Sequence, residues 1–173
     1  YNPISNMKLA SGVAPVPDMM AAGLNVALGT DSNLSNNNLD IFEEMRIGAM
    51  LQKLHRQDAA VMSCQTMLDM ATLNAARSLG LADEVGSIEI GKQADIILVD
   101  LNQAHLWPLV DSGTFMNLPE QLVYAARASD VTHTIVAGQI LMENRTVLTL
   151  DTAEARRAVQ EETDAILKRA GLV

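Results

Sequence analysis

Val26-Ala27-Leu28-Gly29-Thr30-Asp31 is a short apolar run that ends in Gly-Thr-Asp, and Ser32-Asn33-Leu34-Ser35-Asn36-Asn37-Asn38 follows it as a polar loop. The run reads as a buried parallel strand over Leu24 to Leu28, because its apolar residues are continuous rather than alternating. A carboxylate placed where such a strand leaves the sheet lies at the face where α/β folds put their chemistry. Asp31 is therefore the first candidate functional residue. The plainer alternative is that Asp31 caps a turn or the next helix, as Asp often does. A parallel strand also needs parallel neighbours, and the first half of the chain offers only this one. The sequence is thus expected to be the C-terminal piece of a larger protein, or one of two associated pieces.

Outward from this stretch, Tyr1 to Gly12 reads as polar and turn-rich. Pro17 suits the first turn of a short helix that Gly23 closes. Downstream, Leu39 to Leu54 is a strong helix in which Phe42, Met45 and Ala49 share a face, with Leu39 and Met50 nearby. Glu43 and Arg46 can pair on its solvent side, and His55 sits at its end, where a cation favours the helix dipole. Ser63 is expected to cap a helix over Cys64 to Ala71. Thr72 to Gly80 reads as one more.

Beyond Val85 the character changes. Ser87 to Ile90 alternates, Ile96-Ile97-Leu98-Val99 is a β-branched strand, and Asn102 to Leu118 is irregular. Leu122 to Arg127 reads as a helical turn. Val131 to Val136 and Gln139 to Glu143 flank Ala137-Gly138, which is a hairpin signal. A further strand is expected over Thr146 to Leu150. Asp151 and Glu154 have capping-box spacing at the head of a terminal helix that runs to Ala170. Its apolar face is Ala155, Val159, Ile166, Leu167 and Ala170. Three units follow: residues 1–81, 82–150 and 151–173.

Bulk composition narrows the function. The chain has 173 residues, 49% of them hydrophobic, which is enough for a real core. A formal net charge of −9 argues against nucleic acid or an anionic membrane as partner. No apolar stretch approaches a membrane span, and the first residues carry neither the charge nor the apolar core of a signal peptide. The single Cys64 cannot form an internal disulfide, which suits a reducing compartment, the cytoplasm. It reads as a small core residue without a partner base. The three His residues are scattered, with no His-x-His and no Cys pair, so this chain alone cannot build a three-ligand zinc site. Glycine-rich phosphate loops and Gly-x-Ser-x-Gly are absent.

Three stretches together carry a resemblance. They are Asn2-Pro3-Ile4-Ser5-Asn6-Met7-Lys8-Leu9-Ala10-Ser11-Gly12; Leu28-Gly29-Thr30-Asp31 with Ser35-Asn36-Asn37 and Leu39-Asp40-Ile41-Phe42-Glu43-Glu44-Met45-Arg46; and Gly86-Ser87-Ile88-Glu89-Ile90-Gly91-Lys92-Gln93-Ala94-Asp95-Ile96-Ile97-Leu98-Val99-Asp100. Leu122 to Arg127, with Ser129-Asp130-Val131, adds to them. The chain resembles the C-terminal part of a metal-dependent amidohydrolase. It is most similar to the branch of S-adenosylhomocysteine/methylthioadenosine deaminases and triazine chlorohydrolases. The resemblance implies an α/β fold: the C-terminal portion of a distorted TIM (β/α)8 barrel, part of a small β-sandwich, and a C-terminal helix. It implies one divalent metal, zinc before iron or manganese, whose His ligands lie outside this chain. Asp31 matches the family's metal-ligating Asp at the end of strand eight, which also relays a proton. Ser35 matches a position near the substrate. Tyr1 stands where many relatives have a His facing the active-site mouth, which makes it a candidate substrate contact or equally a structural loop residue.

The function so implied is hydrolysis of a C–N bond on a nitrogen heterocycle, with an adenosine-type nucleoside as the favoured substrate. Triazine-type dechlorination and guanine-type deamination are the alternatives within the family. A truncated, non-catalytic remnant that acts by association is the alternative outside it. The expected partners are the missing N-terminal portion, a small heterocyclic substrate and further copies of the protein as a homo-oligomer.

Overall fold

The structure is a computed structural model that describes residues 1–173. Eight helices and one four-stranded sheet make a mixed helix and sheet architecture. The helices are α1 (Pro3–Lys8), α2 (Val16–Ala21), α3 (Asn33–Asn36), α4 (Ile41–Arg56), α5 (Cys64–Ala71), α6 (Leu73–Ser78), α7 (Leu118–Tyr124) and α8 (Thr152–Arg169). The strands β1 (Ile96–Val99), β2 (Val131–Val136), β3 (Gln139–Glu143) and β4 (Thr146–Val147) are antiparallel and lie in the order β1-β2-β3-β4.

α4 is the central helix, and its boundaries are set by its caps. Asp40 accepts hydrogen bonds from Phe42 N (2.8 Å) and Glu43 N (3.3 Å), and its other oxygen accepts from Ala128 N at 3.0 Å. One carboxylate therefore starts the helix and ties it to the turn that enters β2. Capping at Asp40 leaves Leu39 outside the helix and 63% exposed. Gln57, with φ 55°, ends it. Phe42, Met45 and Ala49 face the core as the spacing predicts, together with Met67, Met70, Val123 and Leu106. The Glu43–Arg46 pair forms at 3.9 Å and is half exposed, so it adds little.

Leu24 to Leu28 forms no named strand. It is extended, and its backbone partners come from two unlike neighbours. On one side, Tyr1 N donates to Ala27 O (2.7 Å) and Gly29 N donates to Tyr1 O (3.0 Å), the hydrogen-bond pattern of a parallel ladder centred on Leu28. On the other, Leu28 N donates to Met70 O, and Asn74 Nδ2 donates to Val26 O. Only Val26 is buried, while Leu24 is 55% exposed. The buried parallel strand expected there is thus a single extended segment with one ladder position.

Other expectations shift for local reasons. Pro3 at the first turn lets residues 3–8 form α1, where a loop was expected. Ser87 to Ile90 is no strand, and Ile88 is 85% exposed. The helical turn expected at Leu122 begins earlier, at Leu118, because Pro119 occupies its first turn. The hairpin forms as read, but β4 stops at Val147. Asp151 caps α8 through Ala153 N and Glu154 N, yet none of its residues is buried. The expected sandwich is represented by this one sheet.

Gly86 shows how tightly α6 is covered. Its φ is +94°, and a Cβ there would lie 2.7 Å from Ala76 Cβ, 3.2 Å from Leu73 Cα and 3.3 Å from Thr72 O. Gly80 has a similar φ of +73° but open space around it. Gly86→Ala is expected to destabilise by roughly 2 kcal/mol or more, from backbone strain plus overpacking, against about 1 kcal/mol for Gly80→Ala. Chemical denaturation of the two variants measures the difference, and equal losses would rule out the packing contribution.

Candidate active site

Asp31 lies where the extended segment turns into the polar loop. Its backbone is left-handed, φ 60°, a conformation that Asp tolerates better than most residues. The side chain is exposed. Both oxygens accept hydrogen bonds: Oδ2 from Ser5 Oγ (2.7 Å) and Oδ1 from Ser32 N (2.7 Å). The hydroxyl of buried Ser5, then Ser35, then the Ser32 amide hold the Asp31 carboxyl below the usual carboxylate range. It is ionised at neutral pH, and each oxygen retains lone-pair capacity.

Ser35 sits in α3, the single helical turn that Ser32 caps. Its hydroxyl donates to Ser32 O (3.0 Å) and lies 3.2 Å from Ser32 Oγ. Asp31 and Ser35 are thus brought into one loop. Tyr1 goes elsewhere. Its hydroxyl accepts from Gln52 Nε2 (3.0 Å) and lies 3.4 Å from Gly48 O, so the ring is packed on α4 rather than turned towards Asp31. Burial pushes the Tyr1 phenol up.

Three residues with no role assigned from sequence complete the surroundings of Asp31. Ser5 supplies the bond to Oδ2. Glu44 and Asn36 are buried, and Asn36 Nδ2 donates to both Thr30 O (2.7 Å) and Glu44 Oε1 (2.5 Å). Glu44 Oε2 accepts from Ile4 N at 3.3 Å. Burial pushes the Glu44 carboxyl up, against the two hydrogen bonds it accepts. The readable signal is the spacing Glu44, Gly48, Gln52, one line of α4 that faces residues 1–14.

No three His, Cys, Asp or Glu side chains converge on a metal-sized site. His105 pairs with buried Asp130 at 2.9 Å, and His133 Nδ1 contacts Thr132 Oγ1. His55 lies in the last turn of α4. Cys64 begins α5 beside the core, and burial pushes its thiol up, away from thiolate chemistry. As a donor set, the loop after the extended segment offers one ionised carboxylate, Asp31, with free lone pairs. That suits a single ligand to a divalent cation whose other ligands come from elsewhere.

The amidohydrolase family profile matches residues 1–141. The chain belongs to the amidohydrolase family. This amidohydrolase chain is 54% identical over 152 residues to a 5-methylthioadenosine/S-adenosylhomocysteine deaminase of Moorella thermoacetica, covering 88% of this chain and 34% of that protein. Among solved structures, it is similar to an adenosine deaminase from Xanthomonas campestris with bound zinc. The TM-score is 0.91 and the identity 40%, over 97% of this chain and 37% of that one. It is also similar to an atrazine chlorohydrolase from Arthrobacter aurescens complexed with zinc, with a TM-score of 0.76 and 25% identity over 93% of this chain and 34% of that one. The chain spans 34% to 38% of the length of the curated relatives it matches. No helix is long and apolar enough to cross a membrane.

The depressed Asp31 pKa makes the ionised carboxylate favour the folded state above the ordinary carboxylate range. That contribution is lost as pH falls through the depressed value. Ser5→Ala removes the largest cause, so the Asp31 carboxyl is expected to titrate at higher pH. A carbon-detected NMR titration of the Asp31 side chain reads this directly, and an unchanged midpoint would mean that the Ser5 hydroxyl does not hold the charge.

Proposed function

We propose that this amidohydrolase chain is the C-terminal portion of a metal-dependent hydrolase that deaminates an adenosine-type nucleoside. The observation that carries this reading is Asp31: an ionised carboxylate, held by Ser5 and Ser32 at the end of an extended segment. The named relatives supply the substrate class, and 40–54% identity to adenosine-type deaminases outweighs 25% to the chlorohydrolase. In this reading residues 1–81 close a barrel, residues 82–150 form the appended β-unit and residues 151–173 the terminal helix. The upstream portion supplies the remaining ligands and the other pocket walls. The assembled enzyme is a cytoplasmic homo-oligomer.

Asp31 would be this chain's ligand to the metal, zinc being the favoured ion. Once bound, such an ion would supply Lewis acidity that lowers the pKa of water towards neutrality. Asp31 accepts the proton of the attacking water on a carboxylate oxygen and returns it to the departing nitrogen. Water adds at the ring carbon, the C–N bond breaks, ammonia leaves and a ring carbonyl remains. Its depressed pKa keeps the carboxylate ionised at neutral pH, the form in which it would bind a cation. Ser35, in the loop that follows, would meet the substrate in this reading. Tyr1, whose ring packs on α4, would act on the pocket only through the extended segment its backbone pairs with.

Asp31→Asn in the intact enzyme is expected to lower kcat for ammonia release from adenosine-type substrates by about 100-fold or more. Coupled ammonia assays with metal analysis check this. Wild-type levels of ammonia release in the variant would remove Asp31 from the chemistry. A metal-free, inactive native protein would favour the remnant that acts by association.

A further inference from the structure

Glu44 is the one acidic side chain in this chain with no exposed surface, and its hydrogen bonds go to Ile4 and Asn36 rather than to Asp31. A buried carboxylate is costly unless its oxygens are hydrogen-bonded, so its two partners matter. Oε2 accepts from Ile4 N, in the first turn of α1, and the next residue is Ser5, whose hydroxyl donates to Asp31 Oδ2. Oε1 accepts from Asn36 Nδ2, which also donates to Thr30 O, the carbonyl immediately before Asp31. Chemistry dictates the orientation of the Asn36 amide. Both partners are acceptors, so only the NH2 group can face them, and Asn36 Oδ1 is left buried without a partner.

Two arms thus run from Glu44 to opposite sides of Asp31. One reaches its side chain through α1 and Ser5, the other its backbone through Asn36 and Thr30. We infer that Glu44 is a positioning residue that sets the Asp31 carboxylate from both sides for metal binding. The inference rests on the proposed ligand role of Asp31. Hydrogen-bonded partners outside a metal's own ligands orient those ligands, and their loss typically weakens metal affinity or activity by about 10–100-fold.

Glu44→Gln tests this with little change of shape. A Gln amide has one acceptor, so its NH2 group must oppose either Ile4 N–H or the Asn36 NH2. One arm breaks while the volume is kept. The measurement is zinc affinity of the intact protein by chelator competition, with circular dichroism of the zinc-free form as the folding control. Zinc affinity is expected to fall about 10–100-fold, and kcat with it, while KM changes less than about threefold. Asn36→Ala, which cuts only the Thr30 arm, is expected to lower zinc affinity in the same direction, and it decides the matter if Glu44→Gln does not fold. Asp31→Asn is measured alongside. If Asp31→Asn lowers zinc affinity and the folded Glu44 and Asn36 variants stay within twofold of wild type, the positioning role is overturned and the ligand role stands. If Asp31→Asn leaves zinc affinity unchanged, the ligand role fails and the inference with it.

Discussion

A single helix, α4, holds two different kinds of neighbour, and the rest of the structure depends on that division. Phe42, Met45 and Ala49 turn to the apolar side, where Met67, Met70, Leu106 and Val123 meet them. Glu44, Gly48 and Gln52 turn to residues 1–14 and bond or abut them one after another. Gly48 has no side chain because Tyr1, Pro3 and Met67 occupy the space: a Cβ would lie 3.1 to 3.3 Å from each. Apolar burial fixes where the helix lies. The polar line fixes what the N-terminal segment does against it. Neither alone would bring Ser5 to Asp31.

The elements that were legible in the sequence are those whose signals are local. Asp40, Ser63 and Asp151 cap helices as their residue types require. Ala137-Gly138 turns a hairpin, with positive φ at both residues. Asp31 stood out as a candidate because a strand-like run delivering a carboxylate into a polar loop is a local pattern, and the structure does place it at the end of an extended segment. What escaped was non-local. The Leu24–Leu28 segment has a strand's composition, but a strand exists through its partners, and only Tyr1 offers one. Glu44 and Gln52 look like solvent-facing polar residues until residues 1–14 are laid against them. Tyr1 gave no sign in the sequence that its hydroxyl would accept from Gln52, fifty-one residues away.

The β-unit joins the helical part through more than chain connectivity. Leu106, Val123 and Ala126 belong to the same core as Val16 and Met45. Asp40 reaches from the head of α4 to Ala128 N. Buried Asp130 pins His105 from one side of that junction and caps Arg127 N on the other. By contrast α8, with Val159 67% and Ile166 54% exposed, has no fully buried residue.

The left-handed backbone at Asp31 has a consequence for how the position can vary. Side chains branched at Cβ are strained there, and Gly, Asn and Asp enter that region more readily than most. The conformation therefore screens the alphabet before any chemistry does, and among the residues it favours Asp is the one that carries a negative charge. Replacement by Ala or Val would mix the loss of a carboxylate with the distortion of a turn. The amide isostere separates them, since it keeps the fold of the main chain and removes the charge alone.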